Sequence, residues 1–162
     1  GEVYWDGGFT ANPPVAPLFY DCESRDLLLV LLNPLLRHGV PLTLSEIEAR
    51  STELAFTASF MGEMRMLVQA IKASATAPAG LEPTKPLKPI GPLEQRLQQL
   101  RFHMIDTREL ATFHQSDTKL LAYGPFLEQL RDQGRERGRA WWGAYSAALG
   151  KRSSIDVEAL FG

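Results

Sequence analysis

The chain has 162 residues and a mass of 18.0 kDa, and 44% of those residues are hydrophobic. That is enough for one domain with a buried core and too much for a disordered tail or a coiled coil. A formal net charge of -2 and a pI near 5.9 exclude the basic field that recruits nucleic acid, so no nucleic-acid partner is expected. The single Cys22 excludes an internal disulfide, and with three scattered histidines it leaves no zinc-ligand spacing; no cofactor is expected. The apolar runs fall well short of the ~20 residues of a transmembrane helix.

The chain opens on Glu2-Val3-Tyr4-Trp5-Asp6-Gly7-Gly8-Phe9, in which an apolar run stops at one carboxylate and two glycines. Val3, Tyr4 and Trp5 are β-branched or aromatic and predict the end of a strand, with Gly7 and Gly8 turning the chain out of it. Asp6 then stands at a strand's carboxyl end, where ligands and catalytic groups gather in open α/β sheets. The plain alternative is that Asp6 bonds its own turn amides, since Asp-Gly is a common turn dipeptide. From Pro13 to Cys22 the chain opens a short helix that Asn12 would cap and that Pro17 restricts to its C-terminal part. Cys22 reads as a small buried hydrophobe. Glu23 to Asp26 is a polar loop. Leu27 to Leu32 is an uninterrupted apolar run closed by Asn33-Pro34, which suits a strand buried on both faces of a parallel sheet and completes a βαβ unit.

Arg37 to Pro41 is a loop, in which His38 reads as an exposed residue rather than a catalytic base. Thr43 or Ser45 caps a long helix that runs to about Ser74. Ile47, Leu54 and Met61 recur by sevens, and Phe60, Met64, Leu67 and Ile71 at threes and fours, forming an apolar stripe. Core packing explains this stripe better than an acyl-chain channel does. Gly62 predicts a kink or a close helix contact. Between Ala75 and Pro92 five prolines and two glycines impose a long connection without helix or central strand. A surface excursion is preferred there to a lid, and Lys85 and Lys88 are too few to argue for lipid headgroups.

Arg101 to Asp106 predicts a short strand with His103 turned outward between Phe102 and Met104. Leu110 to His114 is a brief helical turn or loop. A helix starts at Asp117, restarts at Gly124-Pro125 and ends at Gly134. A last helix, from about Arg135 to Leu149, carries Trp141, Trp142 and Tyr145. Arg135, Arg137 and Arg139 in its first turn oppose the helix dipole unless acidic neighbours answer them. Packing onto the sheet is preferred for this helix over an interfacial anchor. Ser153 to Phe161 offers a capping serine and one apolar turn that docks loosely or frays. No internal repeat is present.

Asp6-Gly7-Gly8, three residues and then Asn12-Pro13 resemble the catalytic-aspartate motif of bacterial patatin-like phospholipases. The resemblance is specific over residues 1 to 33 and weakens after residue 75. It implies an α/β class, the C-terminal portion of an α/β/α sandwich with a helical C-terminal extension. Residues 1–74 would belong to the catalytic domain, 75–92 to the connection and 93–162 to a strand and helical extension. It also implies a serine acyl hydrolase with a Ser-Asp dyad, with Asp6 as general base and Gly7 and Gly8 as its turn. The substrate would be a lipid or other acyl ester, and the protein cytoplasmic or in peripheral contact with a membrane. The nucleophile's G-x-S-x-G elbow and the oxyanion loop are not in these residues, so the chain is read as the C-terminal piece of a longer protein, inactive alone. Trp5 and Phe9 would partly desolvate Asp6 and make it more basic. The rival reading is a non-catalytic helical binding or interaction module in which Asp6 only closes a turn.

Overall fold

A computed structural model describes residues 1–37, 39–75, 91–106 and 123–162. The expectations for His38, for the proline-rich connection from 76 to 90, and for Leu110 to His114 and Asp117 to Leu121 lie outside the described residues. The described architecture is mixed α/β and helix-rich, built around two parallel strands, β1 (Asp26–Val30) and β2 (Arg101–Ile105), in register from Asp26 opposite Arg101 to Val30 opposite Ile105. The helices are α1 (Ala16–Tyr20), α2 (Leu44–Ala75), α3 (Pro92–Gln98), α4 (Gly124–Tyr145) and α5 (Val157–Phe161).

The strand pair has two faces because side chains alternate along each strand. On one face Leu27, Leu29, Phe102 and Met104 pack into the main core with Phe60, Met64, Leu67 and Val68 of α2. The expected stripe on α2 therefore divides. Its C-terminal half is core, whereas Ile47 and Leu54 are exposed. The helix runs unbroken through Gly62, and a Cβ there would meet no atom within 4 Å, so no close contact explains that glycine. The start is the predicted cap in reciprocal form. Thr43 Oγ1 accepts from Glu46 N at 3.3 Å, and Glu46 Oε2 accepts from Thr43 N at 3.0 Å and from Leu42 N at 2.8 Å. Those amides hold the Glu46 carboxyl below its ordinary value.

Three other helical expectations change. Helix α1 is not capped by Asn12. Glu63 of α2 reaches across and accepts from the amides of Val15 and Ala16, both at 2.9 Å, so a distant carboxylate satisfies the orphan N–H groups. Helix α4 does not end at Gly134 and restart, but is continuous over 22 residues. A helical glycine costs about 1 kcal/mol relative to alanine, too little to break a helix when no proline follows. Arg135, Arg137 and Arg139 are consequently mid-helix and do not oppose the dipole at its start. Finally, the tail does not fray. Asp156, not a serine, caps α5 through Ala159 N at 2.9 Å, and Phe161 is buried edge-on against Phe60 at a centroid distance of 5.7 Å. Such a ring carries enough apolar area to hold a single turn in place. Cys22 is half-buried rather than enclosed.

The other face of the sheet differs. It carries Asp26, Leu28 and Val30 from β1, beside Arg101, His103 and Ile105 from β2. Trp141 of α4 lies on His103, edge to face at 5.9 Å. Beyond that helix Leu28, Val30 and Leu32 are 46%, 58% and 61% exposed. The apolar run is thus buried on one face only, against the expectation of burial on both.

Candidate functional site

Residues Val3 to Trp5 form no strand and are exposed, so Asp6 does not stand at a strand end. It stands instead at the N-cap of a 3-10 turn, Gly7–Phe9, in extended backbone (φ -61°, ψ 126°). Asp6 Oδ1 accepts from Gly8 N at 2.8 Å, and Thr10 closes the turn through its amide and hydroxyl on Gly7 O at 2.9 and 2.8 Å. This is the local amide bond of the plain alternative. The two glycines differ in their surroundings. A Cβ at Gly8 would lie 3.3 Å from Asp6 Oδ1 and 3.4 Å from a ring carbon of Phe56, whereas one at Gly7 would meet nothing within 4 Å. Gly8 therefore lets the carboxylate and α2 come close to the turn; Gly7 is not needed for packing. Trp5 is 84% exposed and Asp6 is exposed with it, so Trp5 does not enclose the carboxylate as expected. The Asn12-Pro13 bond that completes the motif is cis.

A second constellation was not foreseen. His103, expected to face outward, has 0% exposure. Its Nδ1 is 3.0 Å from Ser154 Oγ and its Nε2 is 3.0 Å from Asp26 Oδ1. Asp26 also takes both arms of Arg101, Nε to Oδ1 at 3.0 Å and Nη2 to Oδ2 at 2.8 Å, and Gly150 N at 3.0 Å. The Arg101 fork, helped by His103 and the Gly150 amide, outweighs partial burial and holds the Asp26 carboxyl well below the usual carboxylate range.

Serine, histidine and aspartate in hydrogen-bonded series are the elements of a nucleophilic triad, but the geometry here does other work. The imidazole is sealed from solvent, and Asp26 spends its oxygens on Arg101 and Gly150 as well as on the ring. Around it the segment after α4 is stitched to β2: Ser154 N donates to Phe102 O at 2.9 Å, and Ser153 Oγ accepts from Phe102 N at 3.0 Å. Gly150, at φ 70°, turns the chain into that position, a left-handed conformation that favours glycine. The constellation is a polar clamp fastening the C-terminal segment to the strand pair. The available signal was an acid and a base at the starts of the two strands, and it becomes meaningful only once the parallel register is known.

Among the described residues, no group of three or more His, Cys, Asp or Glu side chains is placed to hold a metal ion, and no helix is long and apolar enough to cross a membrane. No family model, no curated protein and no solved structure matches the chain.

Proposed function

We propose that this chain is the catalytic-aspartate portion of a patatin-like lipid acyl hydrolase, with Asp6 the general base for a serine supplied by residues preceding Gly1. The observation that carries the reading is the Asp6 turn. One carboxylate oxygen is fixed by the Gly8 amide at 2.8 Å on an exposed corner, and Gly8 leaves room for that oxygen. A hydroxyl is a weak nucleophile until a positioned base takes its proton, and a carboxylate fixed by one amide is such a base. The half-exposed Leu28 and Val30 of β1 fit the same reading. A parallel sheet is normally covered on both faces, and further catalytic-domain elements would cover this one and enclose Asp6. The α/β/α sandwich is the architecture so completed.

Replacing Asp6 by Asn in the intact protein is expected to lower hydrolysis of a chromogenic acyl ester by at least ~100-fold without unfolding it. Near-normal turnover would sink the assignment. The 162 residues alone are expected to be inactive, and measurable turnover by them would refute the dyad. The second reading, an interaction module, draws on the same uncovered face. It gains if the intact protein lacks both a G-x-S-x-G elbow and a glycine-rich loop.

A further inference from the structure

The bonds between the parallel strands fix which backbone groups face outward. Arg101 N donates to Arg25 O at 2.8 Å, and Leu31 N donates to Ile105 O at 2.9 Å. Between those two bonds the pairing uses alternate residues, Leu27 and Leu29 of β1 with Arg101, His103 and Ile105 of β2. The amides and carbonyls of Asp26, Leu28 and Val30 therefore point away from β2, and those of Phe102 and Met104 away from β1. The two outer edges differ. On β2, Phe102 N donates to Ser153 Oγ at 3.0 Å and Phe102 O accepts from Ser154 N at 2.9 Å, and Phe102, His103 and Met104 are all buried. On β1, Ser24 ties Asp26, its Oγ accepting from Asp26 N at 3.2 Å and donating to Asp26 O at 3.0 Å. Leu28 and Val30 follow, half-exposed, and no described residue partners their outward amides and carbonyls. Leu27 to Leu32 are all apolar, so this edge also lacks the charge or proline that commonly blunts one.

We infer that the open edge of β1 pairs with the same edge of a second copy of this chain, antiparallel about a two-fold axis between the two copies of Leu29. In that register Leu28 lies opposite Val30 of the second copy, and each such pair exchanges two N–H···O bonds, so every open group of both edges finds a partner. The Leu28 and Val30 side chains meet across the strands on one face, apolar against apolar. The sealed edge of β2 chooses this occupant. With Ser153 and Ser154 closing β2, the joined sheet runs β2, β1, β1, β2 and ends on a closed edge at both sides, so association stops at two copies. A foreign strand would have to be selected, and Leu27 to Leu32 offer no charge to select one, whereas a second copy brings the same apolar residues to matching positions. The pairing uses edge backbone groups and leaves the faces of the sheet free. It rests on neither Asp6 nor the elements proposed to cover the face, and fails or survives separately from them.

Sedimentation equilibrium of the 162-residue chain tests the inference. Two short strands bury less than the ~1,200 Å² of a standard interface, so the dimer is weak and the titration extends to about 1 mM. A reversible monomer–dimer equilibrium with no larger species is expected. Val30→Pro removes an outward donor from each copy, half of the edge bonds, and is expected to weaken dimerisation by at least about tenfold. Proline suits an edge position whose amide β2 does not use, and circular dichroism checks that the fold is kept. Two double variants test the register. Leu28→Lys with Val30→Glu sets opposite charges across each pair, whereas Leu28→Glu with Val30→Glu sets like charges. The first is expected to dimerise at least about fivefold more tightly than the second. Both side chains are half-exposed, so both double variants keep the fold. The inference is overturned by a monomer at every concentration, by a dimer that Val30→Pro leaves unchanged, by equal dimerisation of the two double variants, or by growth past two copies. A monomer that takes up an unrelated extended peptide along β1 overturns it equally.

Discussion

Two aspartates divide this molecule. Asp6 is exposed, and its hydrogen bond among the described residues is to an amide two positions away; Asp26 gathers Arg101, His103 and Gly150 from as far as 124 residues along the chain. The first is a carboxylate held in place and left accessible, the second a carboxylate consumed by its partners. Sequence adjacency makes the first visible as a motif, while the second exists only after β1 and β2 have paired. A conspicuous motif and a densely bonded residue are therefore different things: the first is proposed for chemistry, the second holds the fold.

The sharpest way to break this contrast is to remove each carboxylate and measure stability. Asp26→Ala strands the Arg101 guanidinium and the sealed His103 ring, and is expected to cost about 3 kcal/mol in denaturant unfolding. Asp6→Ala removes one exposed local bond and is expected to change stability by less than about 0.5 kcal/mol. Equal losses would mean that the two aspartates do not differ as described.

Acid separates them next. Because the folded Asp26 carboxyl titrates below its ordinary value of 3.8, the folded state binds that proton less readily than the unfolded chain. Its stabilisation is complete above the ordinary value and drains away as pH falls below it towards the depressed folded value. Unfolding free energy measured from pH ~5 down to ~2 should fall, and Asp26→Asn should flatten that slope. An unaltered slope in Asp26→Asn would place the acid sensitivity elsewhere.

A smaller effect tests whether the clamp works as a unit. Ser154→Ala leaves His103 Nδ1 without its partner at 3.0 Å and is expected to cost about 1 kcal/mol. In a double-mutant cycle with Asp26→Ala, the two losses should fall short of additivity by at least about 0.5 kcal/mol, because both act through one ring. Additive losses would separate Ser154 from the clamp.

How much of this was legible follows from the same distinction. The apolar run at Leu27, the Arg101 strand and the Thr43 cap are local signals, and each predicts an element close to its observed bounds. The expected strand at Val3 to Trp5 fails because propensity forms no strand without a neighbour to pair with, and those residues are exposed. Alternation predicts His103 outward because it gives two faces but does not say that a tryptophan from α4 covers one of them. Gly134 predicts a stop, but a helical glycine with no proline after it costs too little to end α4.

The smallest expected effect returns to the Asp6 turn. Neither Gly7 nor Gly8 has positive φ, so alanine fits the backbone at both and should gain stability by restricting the unfolded chain, typically about 0.4–1 kcal/mol. At Gly7 nothing opposes that gain. At Gly8 the added Cβ presses on Asp6 Oδ1 at 3.3 Å and on the Phe56 ring at 3.4 Å, so one of them must shift and the gain is lost. Thermal unfolding should then rank Gly7→Ala above Gly8→Ala by roughly 0.5 kcal/mol. In the intact protein Gly8→Ala should also depress ester hydrolysis more than Gly7→Ala does, since it displaces the oxygen proposed to take the serine's proton. The reverse order in both measurements would show that the turn is not what aims Asp6.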